Sequence, residues 1–234
     1  MDVLARGTTG FTGADLENMV NQAALRAAID GLSSVTMQYL ENSRDKVLMG
    51  PEKKSRIPDE EANRITAYHE AGHALVAHYT KDSHPLHKVT IIPRGPSLGH
   101  TAYIPEKESY HVTKSQMQAT LDTLMGGRVA EELIFGVEKI TTGAFDDLKK
   151  ATNIATKMVK DYGMSDKVGV RTFVDDQGSL VVVNELSNIT SELIDMEIKR
   201  ILQVSLFLLC FIFVIFYYNL DLFFRNHMKE PKIY

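Results

Sequence analysis

His69 and His73 stand four residues apart in the run His-Glu-Ala-Gly-His, with Glu70 directly after the first of them. On a helix, two imidazoles at that spacing project from one face and can grip a single ion, while Glu70 lies about 100° round from His69. The segment is therefore read as helix. Pro58 followed by Asp59, Glu60 and Glu61 supplies its start, a ring without a donor and three acids where a first turn favours both. Ile65, Tyr68, Gly72, Leu75, Val76 and Tyr79 then form an apolar stripe, with the two histidines along its edge. Gly72 inside the helix costs about 1 kcal/mol relative to alanine, which predicts that another backbone passes close to this turn.

Two imidazoles leave a catalytic zinc one protein ligand short, so a third must come from elsewhere in the chain. Cys210 is the single cysteine, which excludes a disulfide framework and any zinc site built from paired thiolates. Metal must then sit on histidine and carboxylate. The longer histidine pattern that would extend the helix motif fails, because Val76 and Tyr79 occupy the places of its glycine and third histidine. Glu131, Glu132, Asp146 and Asp147 remain as candidates. Helical phase separates the last two: Asp147 falls within the stripe of Leu148, Ala151, Ile154, Ala155, Met158, Val159 and Tyr162, and Asp146 points away. A carboxylate aimed at a core needs a cation, a salt bridge or a cap role, and phase leaves all three open. Glu131 and Glu132 are read as solvated or supporting groups. His78, His84, His87, His100 and His111 show no helical pairing with one another that would make a second site.

With both histidines and a carboxylate on zinc, a water's pKa falls to about 7 and Glu70 can take its proton. The chemistry expected is peptide hydrolysis. Nucleic acid is not expected as a partner, because 26 basic against 30 acidic residues give a net charge of -4, and a phosphate-backbone binder needs a basic face to release counterions.

The rest of the chain reads as mainly α, an α+β arrangement with one small hairpin. Thr12-Gly-Ala-Asp15 predicts a capped helix ending near Gly31, and a second helix is expected from Thr36 to Leu48 before Gly50-Pro51. Residues 7–50 thus form a small helical unit, 51–57 a charged linker, and 58–203 the unit bearing the histidines. Lys88–Ile92 and Gly99–Ile104 flank turn residues and predict a hairpin. Its edge at Gly99, His100 and Thr101 is read either as offering backbone groups to an extended substrate by strand addition or as a plain structural cover. Helices are expected over Lys114–Phe135, Ala144–Tyr162 and Ser191–Leu202, with a turn at Asp176-Gln177-Gly178. No phosphate loop of the G-x-x-x-x-G-K-[ST] type occurs, and the N-terminal residues carry no targeting signal.

Composition breaks near residue 203. Residues 204–218 carry no charge, and six of the ten phenylalanines follow Val204. Residues 204–234 are an apolar tail with two readings, a transmembrane helix at the short edge of the length needed or a translated intron. The second is favoured, since Val204-Ser205 can be encoded by a splice-donor sequence.

Thr66-Ala-Tyr-His-Glu-Ala-Gly-His73, Gly126-Gly-Arg-Val-Ala-Glu-Glu132, Thr141-Thr-Gly-Ala144 with Asp147, and Gly163-Met-Ser165 together resemble the peptidase domain of FtsH-type AAA+ zinc proteases. Tyr79-Thr-Lys-Asp82, Pro85 and Pro93-Arg-Gly95 resemble the mitochondrial i-AAA (Yme1-like) branch. The resemblance implies zinc on His69, His73 and Asp147, with Glu70 catalytic. Gly10-Phe-Thr-Gly-Ala-Asp-Leu16 resembles the start of the AAA+ lid subdomain, which implies that Gly13 and Ala14 lie near a nucleotide. It further implies an ATP-dependent peptidase of the mitochondrial inner membrane, acting as a homo-hexamer on unfolded or membrane proteins. The alternative expectation is a non-catalytic fragment that binds or perturbs full-length hexamers.

Overall fold

The structure, a computed structural model, describes residues 2–53, 59–95, 98–104, 111–173 and 187–227, without the side chains of 207, 208 and 210–227. Most of the expected linker, Pro58 and the expected turn at Asp176-Gln177-Gly178 lie outside the described residues. Seven helices and one two-stranded sheet make it mainly α among those residues. Contacts divide it into two compact units, Met1–Glu70 with His84–Tyr110, and Ala71–Ser83 with His111–Tyr234.

The first unit holds α1 (Asp2–Gly7), α2 (Gly13–Ile29), α3 (Met37–Met49), the opening turns of α4 (Glu60–Tyr79), and strands β1 (Leu86–Thr90) and β2 (His100–Tyr103). Thr12 caps α2 as expected: its hydroxyl accepts from Asp15 N at 3.2 Å, and the Asp15 carboxylate accepts from Thr12 N at 2.9 Å. Gly31 takes φ +74° just past the helix end, the left-handed stop that glycine adopts without penalty. The start of α4 differs from expectation, since the Asp59 carboxylate accepts from Ala62 N at 3.0 Å and so acts as the cap itself.

Strands β1 and β2 pair antiparallel, Val89 opposite Thr101 and Thr90 opposite His100, with an irregularity between Leu86 and Lys88. The first strand thus begins two residues before the expected Lys88 and stops at Thr90. Its hydroxyl accepts from Ile92 N at 3.1 Å, a local bond that takes this amide out of the ladder. The hairpin is tied to α3 through charge. Asp45, at the buried side of α3, accepts from Lys88 Nζ at 2.7 Å and from Arg44 Nη2 at 2.9 Å.

The second unit packs the rest of α4 with α5 (Lys114–Phe135), α6 (Phe145–Lys160) and α7 (Asn188–His227). Val76, Leu121, Met125, Val129, Ala151, Ala155, Met158, Val159 and Ile194 share one core. The expected end of the last helix at Leu202 is not observed. Ile194, Glu197, Ile201, Ser205 and Leu209 recur three or four apart and are all buried, so one packed face runs through the composition break. Ser205 donates to the Asp122 carboxylate on α5 at 2.5 Å. Among the described residues no helix is long and apolar enough to cross a membrane.

Candidate metal centre

Helix α4 buries Thr66, His69, Glu70, His73, Val76 and Ala77, while Tyr68 and Tyr79 are 38% and 56% exposed. The histidines therefore lie at the centre of the buried face and not along its edge. Hydrophobicity alone draws the stripe through the amphipathic tyrosines, whose exposure sets it off the buried axis. Two titratable rings and a carboxylate on one buried face need partners, and each has one.

Gly72 brings those partners close. A Cβ built there would lie 2.7 Å from Ala130 Cβ and 2.9 Å from the Gly126 carbonyl carbon, and one built on Gly126 would lie 2.8 Å from the Gly72 oxygen. The two glycines let α4 and α5 cross nearly backbone to backbone, as the mid-helix glycine predicts. At that crossing His73 Nδ1 lies 2.7 Å from the Thr123 carbonyl oxygen. A carbonyl only accepts, so Nδ1 carries the proton and the Nε2 of the neutral ring presents its lone pair.

That Nε2 faces Oδ2 of Asp147 at 3.3 Å. Asp147 stands in the first turn of α6, its side chain 18% exposed, and Asp146 beside it is exposed. The loop before α6 is fixed by Glu131, whose Oε2 accepts from Thr141 N at 2.8 Å, and by Thr141, whose hydroxyl accepts from Gly143 N at 3.1 Å. Glu132 instead pairs with Arg128 at 3.7 Å. One ligand atom from each of His69, His73 and Asp147 lies within 4.8 Å of the others, the single such group among the described residues.

These residues fit a zinc ion. Bonds of about 2.0–2.2 Å at tetrahedral angles put two ligand atoms about 3.3 Å apart, the separation seen between His73 and Asp147. Two neutral imidazoles with a carboxylate form a borderline donor set, and a ligand ring held through its other nitrogen to a carbonyl is the usual outer support.

Glu70 makes a different contact. Its Oε2 accepts from the Thr101 hydroxyl of β2 at 2.6 Å. Gly99 lies against the same carboxylate, where a Cβ would fall 2.6 Å from Oε1. Thr101 thus meets Glu70 through its side chain, and His100 is half-buried in β2. Gly13 and Ala14 are exposed in the first turn of α2. The Thr123 carbonyl is invisible in the sequence, because a backbone acceptor leaves no mark on residue type. The roles of Glu131 and Thr141 were equally hidden.

Residues 56–206 match the model of peptidase family M41, and residues 1–42 that of the AAA+ lid domain. The chain is 64% identical to the ATP-dependent zinc metalloprotease YME1L of Drosophila melanogaster, over 99% of its own length and 30% of the relative's. It is 68% identical to the YME1 homolog of Caenorhabditis elegans over 87% of this chain and 28% of that one. To the FtsH protease of Photobacterium profundum it is 46% identical, over 86% and 30%. The chain spans less than a third of the length of these relatives. The alignment to the fruit-fly protein runs past residue 203, so likeness there does not end at the composition break.

Proposed function

The chain belongs to peptidase family M41, and on that premise we propose that it is a zinc endopeptidase whose metal is held by His69, His73 and Asp147 and whose general base is Glu70. The observation that carries this reading is the approach of the three ligand atoms, with His73 Nδ1 committed to the Thr123 carbonyl. A zinc ion held there supplies a Lewis acid and brings a water's pKa to about 7.

The chain's own groups do the rest. His73 keeps its Nε2 lone pair available because its proton is fixed on Nδ1. Glu70 takes a proton from the attacking water at its carboxylate and returns it to the departing amide nitrogen. Burial of Glu70 and both histidines excludes bulk water and strengthens each electrostatic contact. Strand β2, with its edge at Gly99 to Thr101, is the proposed bed for an extended peptide.

The larger setting is proposed from resemblance. The M41 unit would act with the lid-type unit, in which Gly13 and Ala14 approach nucleotide, as part of an ATP-dependent hexamer. Its place would be the mitochondrial inner membrane and its substrates unfolded or membrane proteins. Residues 58–203 would form the peptidase domain and residues 7–50 the lid.

The test compares zinc content and cleavage of casein for the wild type and Glu70→Gln. Cleavage by the wild type, with zinc retained but cleavage lost in the variant, supports the proposal. Bound zinc with no cleavage by either, together with co-purifying full-length hexamer, supports a non-catalytic binding fragment instead.

A further inference from the structure

We infer that Thr101 is a positioning residue for Glu70, holding its carboxylate through Oε2 in the one orientation from which it takes the proton. This rests on the endopeptidase reading. A general base on a flexible side chain must present one oxygen in one place, and a misplacement of about 1 Å can cost about 100-fold in rate. The Thr101 hydroxyl lies 2.6 Å from Oε2, the shorter of its two contacts with this residue; the other, to the Glu70 carbonyl, is 3.4 Å. A donor at that distance occupies Oε2 and sets the plane of the carboxylate.

Gly99 completes the arrangement from the other side. A Cβ on residue 99 would meet Oε1 at 2.6 Å, Glu70 Cγ at 2.7 Å and Thr66 Cγ2 at 2.8 Å. The space beside Oε1 therefore suits glycine, and a side chain there would force the Glu70 side chain, Thr66 or the strand to shift. The hydroxyl itself sits on a strand with little freedom. Thr101 is paired with Val89, and the next pair, Lys88 with Ala102, is fastened to α3 through Lys88 and Asp45. Strand addition uses backbone groups of β2, so the Thr101 side chain is spared for this task.

Thr101→Val keeps the shape and strand preference of the residue and removes only the donor; Thr101→Ser restores the donor. With zinc content unchanged in both, kcat for casein should fall about 10-fold to 100-fold in the valine variant with KM within about twofold, and should recover in the serine variant. A second measurement needs neither metal nor turnover. In metal-free protein carrying 13C at glutamate carboxyls, the Glu70 resonance, identified by its absence in Glu70→Gln, should move in Thr101→Val and return in Thr101→Ser. Wild-type kcat in the valine variant, a loss that serine does not repair, or an unmoved Glu70 resonance would each overturn the inference. A wild type that binds zinc and does not cleave would overturn the endopeptidase reading, while the resonance still tests Thr101.

Discussion

Gly72 and Gly126 face each other across the α4–α5 crossing, each occupying the space that a Cβ on the other helix would need. The crossing sets how deeply His73 reaches toward the Thr123 carbonyl and Asp147. Gly72→Ala should gain about 1 kcal/mol in helix propensity and lose about 1–3 kcal/mol to overpacking. Because the obstructing atoms are largely backbone, the second effect should win. Urea unfolding should show a lower midpoint, and zinc affinity should fall with it as α4 is pushed off α5.

Zinc should stabilise the folded chain through the three ligands. At zinc about 100 times its dissociation constant the gain is about 2.7 kcal/mol, read as a rise in Tm that a chelator reverses. Asp147→Ala should abolish the zinc-dependent rise. In the absence of metal its effect on Tm should not depend on the chelator. A variant that still shows the full zinc-dependent rise would remove Asp147 from the ligand set.

Glu131 is 1% exposed and holds the Thr141 amide that precedes α6. Glu131→Ala should free the Thr141–Ala144 turn and let the α6 terminus wander. Zinc affinity should drop about 10-fold to 100-fold, the size typical of outer-support groups, measured by competition with a chromophoric chelator. Unchanged affinity would confine Glu131 to a role in folding.

Two buried aspartates should respond to pH with opposite signs. Burial pushes Asp45 up, but the Lys88 and Arg44 hydrogen bonds outweigh it and leave the carboxyl below the usual range. Its contribution to stability is then present above the unfolded value of about 3.9 and lost as pH falls. Asp45→Asn should cost about 3 kcal/mol at pH 7, because Arg44 stays buried without its counter-charge, and the deficit should shrink in acid. Asp122 is pushed up by burial, which the bonds from Ser205 and Gln118 offset only in part. Its charged form is disfavoured in the fold, so stability declines as pH rises above its unfolded value. Asp122→Asn should therefore gain on the wild type as pH rises above the unfolded value of about 3.9, as followed by denaturant unfolding at each pH.

Local chemistry made much of this molecule legible from residue order. The helix cap at Thr12, the limits of α5 at Lys114 and Phe135, the need for a close neighbour at Gly72 and the inward phase of Asp147 all follow from interactions within a few residues, which order alone specifies. The end of α7 did not follow, because Ser205 and Leu209 extend the buried face across a change in composition that burial ignores. Nor did the setting of the histidines at the centre of the α4 face. What the tertiary structure alone decided are the contacts between positions far apart in the chain: Thr123 selecting the His73 tautomer through a backbone oxygen, Glu131 tethering Thr141, and Thr101 reaching Glu70. Periodicity tells which way a side chain faces, and only the packing of separate elements determines what it meets there.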